Sequence, residues 1–275
     1  MHASLRRQGS PQVVAHRGSS HSNAEHTLGA YVAALDEGAD ALECDVRLTA
    51  DGHLVCVHDR RVDRVARVPG TVSTMQLADL NQLDFASWKN PWAELDDETP
   101  EIDADKRRVL TLQRLLETAA DYERPVGIAV ETKHPTRYGG LVERRLVEIL
   151  TPMGWAGRGS PVRVMSFSMM ALGRLRRLAP DLETVLLLDS PSAYPRAYPW
   201  QMATRLLGAD WIAGPGIALL RENLRLGRRL RDQGRRVHVW TVNSPADLEL
   251  CLELGVDAVI TDNPVTTLAY LGRGV

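Results

Sequence analysis

The sequence predicts a (β/α)8 barrel, because short β-branched runs alternate with longer amphipathic stretches along the 275-residue chain. Such a barrel typically takes about 250 residues, so the chain has room for one barrel and an insertion. A doubly wound open sheet is the competing architecture. The eight candidate strands, in chain order, are Val13–Ala15, Ala41–Leu48, Leu54–Val57, Val126–Val130, Val162–Phe167, Thr184–Leu188, Asp210–Ala213 and Val237–Val242.

Between most of these runs, apolar residues recur at helical spacing. The predicted helices are Thr27–Glu37, Thr111–Tyr122, Leu141–Leu150, Met170–Leu178, Arg221–Gln233 and Ala246–Leu254. The segment Arg60–Lys106 breaks the alternation, since it is rich in Asp, Trp and Pro and has only a weak helical pattern. Long connections of this kind are usually functional or excursions beside a site. We therefore expect residues 1–275 to form one barrel domain with a small insertion after strand 3, at about residues 60–106.

The composition excludes several classes of protein. Hydrophobic residues make up 44% and charged residues 25% of the chain, which is ordinary for a soluble globular protein. A formal net charge of -2 gives no basic footprint for nucleic acid. No apolar run is long enough to be an integral membrane segment, and the N-terminus does not resemble a signal peptide. With three cysteines and no disulfide pattern, we expect a cytoplasmic protein.

Polar residues follow several predicted strands at their carboxyl ends, where the active sites of such barrels lie. These groups are His16-Arg17-Gly18, Glu43-Cys44-Asp45, His58-Asp59, Glu131-Thr132-Lys133-His134 and Trp240-Thr241-Val242-Asn243. The sequence therefore predicts that they meet at one mouth of the barrel.

Glu43 and Asp45 are two residues apart on a predicted strand, so their side chains share one face. Adjacent carboxylates repel each other unless a cation lies between them. Glu131 could supply a third carboxylate from another strand, and oxygen ligands are those that Mg²⁺ or Ca²⁺ prefers. The alternative is a carboxylate cluster that is neutralised by arginine.

His16 and His58 each end a predicted strand, and two histidines facing one pocket suit general acid and base chemistry near neutral pH. Core or surface histidines and zinc ligands are the alternatives. Arg17, beside His16, offers a guanidinium fork for a phosphate or carboxylate.

Lys133 shares a strand face with Glu131 and is one of the three lysines, Lys89, Lys106 and Lys133, in a chain that otherwise uses arginine. A lysine beside metal carboxylates suits an anionic substrate, whereas a solvated lysine is the alternative. Trp240 could pack inside the barrel or form an apolar wall for the substrate.

Several motifs occur together and in one order. They are Val13–Gly18 (VVAHRG), Glu25-His26-Thr27, Gly38–Val46 (GADALECDV), Thr49–Asp59 (TADGHLVCVHD), Glu131-Thr132-Lys133, Met165-Ser166-Phe167, Trp240-Thr241-Val242-Asn243 and Gly255–Pro264 (GVDAVITDNP). From about residue 12 to 268, their order and spacing resemble the glycerophosphodiester phosphodiesterase family. The joint occurrence is far more specific than any single motif.

The resemblance implies a metal-dependent TIM barrel with a small insertion after the third strand, and it implies roles for individual residues. Glu43, Asp45 and Glu131 would be ligands of Mg²⁺ or Ca²⁺; His16 and His58 the acid/base pair; Arg17 and Lys133 the phosphate-binding residues; Trp240 a contact to the glycerol side; and Glu25 a supporting residue. The family usually has Asn at the position of His26, so this departure could alter the support of the metal site or the rigidity of the loop.

The implied activity is that of a phosphoric diester hydrolase in lipid and glycerol metabolism. It would release glycerol 3-phosphate and an alcohol from a small-molecule glycerophosphodiester, with the glycerol 2-hydroxyl as the attacking group. One alternative is a lysophospholipase D, which would need an apolar channel that Leu83, Phe85, Trp88 and Trp92 could build. The other is a phosphodiester-binding protein without activity.

Overall fold

A computed structural model describes residues 9–90, 104–189 and 210–274. Eight parallel strands form the wall of a barrel in the spatial order β7-β6-β5-β4-β2-β1-β9-β8. Bridges from Ala213 to Val237 and from Gly216 to Trp240 join β7 to β8 and bring the ring together. The predicted barrel is thus confirmed. The wall strands are β1 (Gln12–His16), β2 (Ala41–Leu48), β4 (Gly127–Thr132), β5 (Val162–Ser166), β6 (Glu183–Leu188), β7 (Ile212–Pro215), β8 (His238–Val239) and β9 (Ala258–Thr261).

Helices of nine or ten residues follow most wall strands and pack on the outside of the barrel. Several are capped by a side-chain oxygen that accepts from the first turn, including Thr27, Thr111, Ser168 and Ser244. The helices are α1 (Leu28–Asp36), α2 (Asp63–Ala66), α3 (Leu77–Leu80), α4 (Ala104–Arg107), α5 (Leu112–Ala120), α6 (Leu141–Leu150), α7 (Met169–Leu178), α8 (Ile217–Glu222), α9 (Leu224–Asp232), α10 (Pro245–Leu254) and α11 (Pro264–Tyr270).

The prediction that Leu54–Val57 is the third barrel strand was wrong. Strand β3 (Leu54–Cys56) pairs antiparallel with β2 and forms a hairpin beside the wall. The reason is the turn that precedes it: Thr49 accepts from the His53 amide, and Gly52 has a φ of 86°, which glycine adopts at little cost. The insertion that follows β3 therefore lies between the second and third wall strands, β2 and β4.

The eighth wall strand is β9, which the strand prediction omitted. Its four residues are buried, and they pair with β1 from Gln12–Ala258 to Ala15–Thr261. The sequence Ala258–Thr261 is apolar and β-branched, so the strand signal was present. This strand brings Asp262 to the mouth of the barrel beside His16.

Two apolar layers hold the barrel together. Inside the wall, Val14, Met165, Val185 and Ile260 belong to one buried cluster, while two larger clusters lie between the wall and the helices. Burial of this kind stabilises a fold by about 25 cal/mol per Å² of apolar surface. The charged residues of the mouth therefore rest on a closely packed floor.

The insertion has an apolar cluster of its own. Phe85 is buried there, and Leu83 and Trp88 pack against the same cluster. Residues 91–103, with Trp92, lie outside the described residues. No helix in the described ranges is both long and apolar enough to cross a membrane.

Candidate active site

The carboxyl ends of the wall strands surround a cavity of about 340 Å³. Its two sides differ in character, because β1, β2 and β4 contribute charged residues whereas β5, β6 and β8 contribute mainly apolar ones. All but two of the predicted site residues line this cavity, namely His16, Arg17, Glu43, His58, Glu131, Lys133 and Trp240. Asp45 and Glu25 contact residues that line it.

Glu43, Asp45 and Glu131 form a compact carboxylate cluster. One carboxylate oxygen from each lies within 4.8 Å of the others, and all three residues are buried. Glu43 and Asp45 lie on one face of β2, and Asp45 pairs directly with Glu131 of β4 in the sheet register. The structure thus brings together the three residues predicted to be metal ligands.

Two cations lie against these carboxylates. The Lys133 Nζ atom is 2.9 Å from Asp45 Oδ1 and 2.8 Å from Glu131 Oε1, and Arg17 Nε is 3.1 Å from Asp45 Oδ2. Lys133 is therefore not a solvated lysine. The alternative of a carboxylate cluster neutralised by arginine is met only in part, because Arg17 contacts Asp45 while the second cation is a lysine.

The three carboxyls differ in proton affinity. Burial and the neighbouring Asp45 charge raise the pKa of Glu131 to about 8 and that of Glu43 well above its usual range. For Asp45, burial opposes ionisation, but Lys133, His26 and Arg17 outweigh it and hold the pKa well below the usual range. Burial and like-charge repulsion thus disfavour further negative charge at this site, while the cations around Asp45 favour its ionised form.

The preference for lysine at position 133 can be tested with the Lys133→Arg variant, for which we expect kcat/KM to fall by roughly tenfold, or about 1.4 kcal/mol. A compact ammonium bridges two carboxylates here, whereas a planar guanidinium is larger and has its donors in a fixed fork. Steady-state kinetics would measure the loss. An unchanged rate would show that only the charge matters.

His16 is held by a carboxylate that the sequence analysis did not select. Its Nδ1 atom lies 2.6 Å from Asp262 Oδ1, and Asp262 also accepts from Asn243 Nδ2 and Ser20 Oγ. Burial opposes ionisation of Asp262, but the His16 hydrogen bond outweighs it and lowers the pKa to about 2. An acidic residue directly after a barrel strand was the signal that could have revealed it.

For the Asp262→Asn variant we expect kcat to fall by about one to two orders of magnitude, because a carboxylate fixes the tautomer of the imidazole beside it. The pKa of Asp262 is lowered in the folded state, so its contribution to stability is present above pH 3.8 and is lost as the pH falls through about 2. Kinetics and urea unfolding at pH 6 and pH 3 would measure both effects. Asp36→Asn, at the end of the outer helix α1, is the matched control.

His58 begins a chain of charged contacts. Its Nδ1 atom lies 2.9 Å from Asp59 Oδ1, Arg64 donates to both Asp59 and Glu25, and Glu25 accepts from Arg17. Glu25 thus links Arg17 to Arg64 beside the cavity, and its supporting role stays a prediction. Burial lowers the pKa of His58 to about 4, so its imidazole is neutral at pH 7.

His26 fills the position where the family usually has Asn. The residue is buried, its Nε2 atom is 3.0 Å from Asp45 Oδ2, and its Nδ1 atom is 2.8 Å from the Tyr31 hydroxyl. Tyr31 in turn donates to the Glu43 carbonyl oxygen. The backbone φ is 61°, in the left-handed region where Asn is favoured over most residues. His26 thus contacts the carboxylate cluster directly through Asp45.

The apolar side of the cavity is formed by Trp240 and Phe167, whose rings meet edge to face at 5.5 Å. Trp240 donates from Nε1 to the Gly214 carbonyl oxygen and also lines the cavity. Trp240 thus packs in the barrel and also presents an apolar surface to the cavity, and its contact with the substrate stays a prediction.

Arg47 is a further cavity residue that the sequence analysis did not select. It follows Glu43 and Asp45 at the same two-residue spacing on β2, which is the signal that could have found it.

Comparison with known proteins places these features in a family. The chain matches the glycerophosphoryl diester phosphodiesterase family over residues 16–266. It is 46% identical to "Probable glycerophosphodiester phosphodiesterase 1" of Mycobacterium tuberculosis, over 97% of this chain and 94% of that one. It is 33% identical to a glycerophosphodiester phosphodiesterase of Bacillus subtilis, with 92% and 83% coverage.

A solved structure extends the likeness to the fold. An Oleispira antarctica phosphodiesterase in complex with its product sn-glycerol-3-phosphate has 25% sequence identity and a TM-score of 0.80, over 95% of this chain and 97% of that one. The family match spans nearly the whole chain, and the barrel carries the family's motifs at one mouth. The chain therefore belongs to the glycerophosphoryl diester phosphodiesterase family.

Proposed function

We propose that the protein hydrolyses glycerophosphodiesters to glycerol 3-phosphate and an alcohol. The observation that carries this proposal is the carboxylate cluster, with two cations and two carboxylate-supported histidines around one cavity, in a chain of this family. The product bound to the Oleispira antarctica relative is the one that this reaction would release.

The residues fit a divalent cation. Three buried carboxylates with mutually close oxygens are a donor set for a hard cation. Burial and the neighbouring Asp45 charge raise the pKa values of Glu43 and Glu131, and a bound cation would favour their ionised forms. We infer that Glu43, Asp45 and Glu131 hold Mg²⁺ or Ca²⁺. When bound, the cation supplies Lewis-acid polarisation of a phosphoryl oxygen.

Arg17 and Lys133 bind the phosphate in this proposal. Both are largely buried and reach the cavity from beside the carboxylates. Negative charge grows on the phosphoryl oxygens in the transition state, and fixed cations in a site with little water stabilise it.

We assign proton transfer to His16 and His58. Each donates from Nδ1 to a carboxylate, which leaves Nε2 to exchange a proton. Because His58 is neutral at pH 7, it can accept the proton of the attacking glycerol 2-hydroxyl. Asp262 can stabilise a protonated His16, which then donates to the leaving alkoxide. Water opens the resulting cyclic phosphate with the two roles exchanged.

Trp240 and Phe167 provide the apolar surface on which we place the glycerol side of the substrate. Soluble diesters remain our first choice over lysophospholipids, because Phe85, Leu83 and Trp88 pack within the insertion's own cluster. We further propose a cytoplasmic location and a role in lipid and glycerol metabolism; the three free, buried cysteines fit a reducing compartment.

A panel of substrates tests the proposal. The purified protein would be incubated with glycerophosphocholine, glycerophosphoethanolamine, glycerophosphoglycerol and a lysophosphatidylcholine, with and without MgCl₂ or CaCl₂. We expect metal-dependent release of glycerol 3-phosphate from the soluble diesters. Preferential cleavage of the lysophospholipid would favour the lysophospholipase D alternative, and the absence of release from every substrate would favour a binding protein.

A further inference from the structure

Arg47 is the third charged residue on the cavity face of β2, after Glu43 and Asp45. Its Nε and Nη2 atoms both donate to the His58 carbonyl oxygen, at 2.9 and 2.7 Å. The backbone pairing of the hairpin ends with the hydrogen bond from the Val57 amide to the Asp45 carbonyl oxygen. The next residue is His58, and the Arg47 guanidinium holds its backbone in place of a further backbone pair. Arg47 is thus placed between the carboxylate strand and His58.

Arg47 differs from Arg17 and Lys133, the other cations described above, in the groups that surround it. Arg17 forms ion pairs with Asp45 and Glu25, and Lys133 forms ion pairs with Asp45 and Glu131. Within the described part of the chain, no carboxylate lies in ion-pair distance of Arg47, whose hydrogen-bond partner is a neutral carbonyl. A partly buried guanidinium without a paired anion is costly.

We propose that Arg47 is a substrate-binding residue that contacts the anionic phosphodiester while its fork holds His58. Two of the guanidinium N–H groups point at the His58 oxygen, and a guanidinium has further N–H donors for the cavity that the side chain lines. The substrate would supply the ion-pair partner that Arg47 lacks among the described residues. This inference rests on the proposed phosphodiesterase function.

Two substitutions separate charge from shape. Arg47→Gln removes the charge, and Arg47→Lys keeps it but loses the fork. We expect KM to rise by roughly 10- to 100-fold in Arg47→Gln, or about 1.4–2.7 kcal/mol, because a hydrogen bond to a charged group is lost. In Arg47→Lys we expect KM to change by less than about threefold. We expect kcat to fall in both variants, because neither side chain forks onto the His58 oxygen. Arg145→Gln, which breaks an exposed ion pair on α6, is the matched control.

Calorimetry with glycerol 3-phosphate gives a second measurement that needs no turnover. We expect its affinity to fall in Arg47→Gln and to persist in Arg47→Lys, with thermal unfolding used to confirm that both variants fold.

If KM and affinity in Arg47→Gln match the wild type, the inference is wrong while the phosphodiesterase function stands. The same holds if the two variants lose kcat equally without any change in binding. If the wild type cleaves no diester, the proposed function fails, and calorimetry alone decides whether Arg47 binds the phosphate. If the wild type neither cleaves a diester nor binds glycerol 3-phosphate, the proposed function and the Arg47 inference are both wrong.

Discussion

Alanine in place of His16 or His58 is expected to lower kcat by roughly 10²- to 10⁴-fold, the usual range for a positioned acid or base. Each imidazole lines the cavity and donates to a carboxylate that fixes its tautomer. Neither belongs to an apolar cluster of the core, so the fold should remain intact. Steady-state kinetics and circular dichroism on each variant would measure activity and folding separately.

The control for these variants is His53→Ala, because His53 is an exposed histidine in the turn before β3 and does not line the cavity. The double variant should be little worse than the poorer single variant, since groups that act as a unit are not additive. Wild-type activity in either single variant would contradict the acid/base assignment.

Removal of the divalent cation is expected to abolish turnover, and Glu131→Gln should weaken metal binding by more than the roughly 10–100-fold typical of changes outside the ligand set. Glutamine has nearly the same shape as glutamate but lacks the negative charge that attracts a cation. A ligand that binds only the folded protein stabilises it by about 2.7 kcal/mol at 100 times its Kd. We therefore expect MgCl₂ or CaCl₂ to raise the Tm of the wild type and to raise the Tm of the Glu131→Gln variant much less.

Calorimetric titration of metal into chelator-treated protein would give the affinity, and a turnover assay after EDTA treatment would give the dependence. Glu148→Gln, an exposed glutamate on α6, serves as the control. Full activity after exhaustive chelation would contradict the metal site. In that case Arg17 and Lys133 would be the whole electrostatic machinery of the cluster.

Much of the fold followed from periodicity, but one wall strand did not. Leu54–Val57 and Ala258–Thr261 are both short and apolar, so periodicity alone does not distinguish which of the two runs joins the parallel wall. The turn at Thr49–His53 reverses the chain, so that β3 pairs antiparallel with β2 in a hairpin and does not join the parallel wall. Asp51-Gly52 before the run was the signal for such a turn.

The sequence predicted which side chains meet at the barrel mouth, because most of the proposed residues sit on or just after a strand; Glu25, in the first loop, is the exception. Asp262 was overlooked because it follows the omitted strand β9, and Arg47 because arginine is common in this chain. The contact of His26 with Asp45 could not be read from sequence at all, since it depends on how the first loop folds over β2.

The sequence by itself determined the alternation of strands and helices, the chemical types at the strand ends and the membership of a family, because these depend on local periodicity and motif order. Only the tertiary structure decided which charges neutralise one another. Lys133 and Arg17 are paired with carboxylates, whereas Arg47 meets a carbonyl oxygen. The physical reason is that electrostatic interactions fall off with distance through a buried site, and those distances are set by barrel closure between strands far apart in the chain.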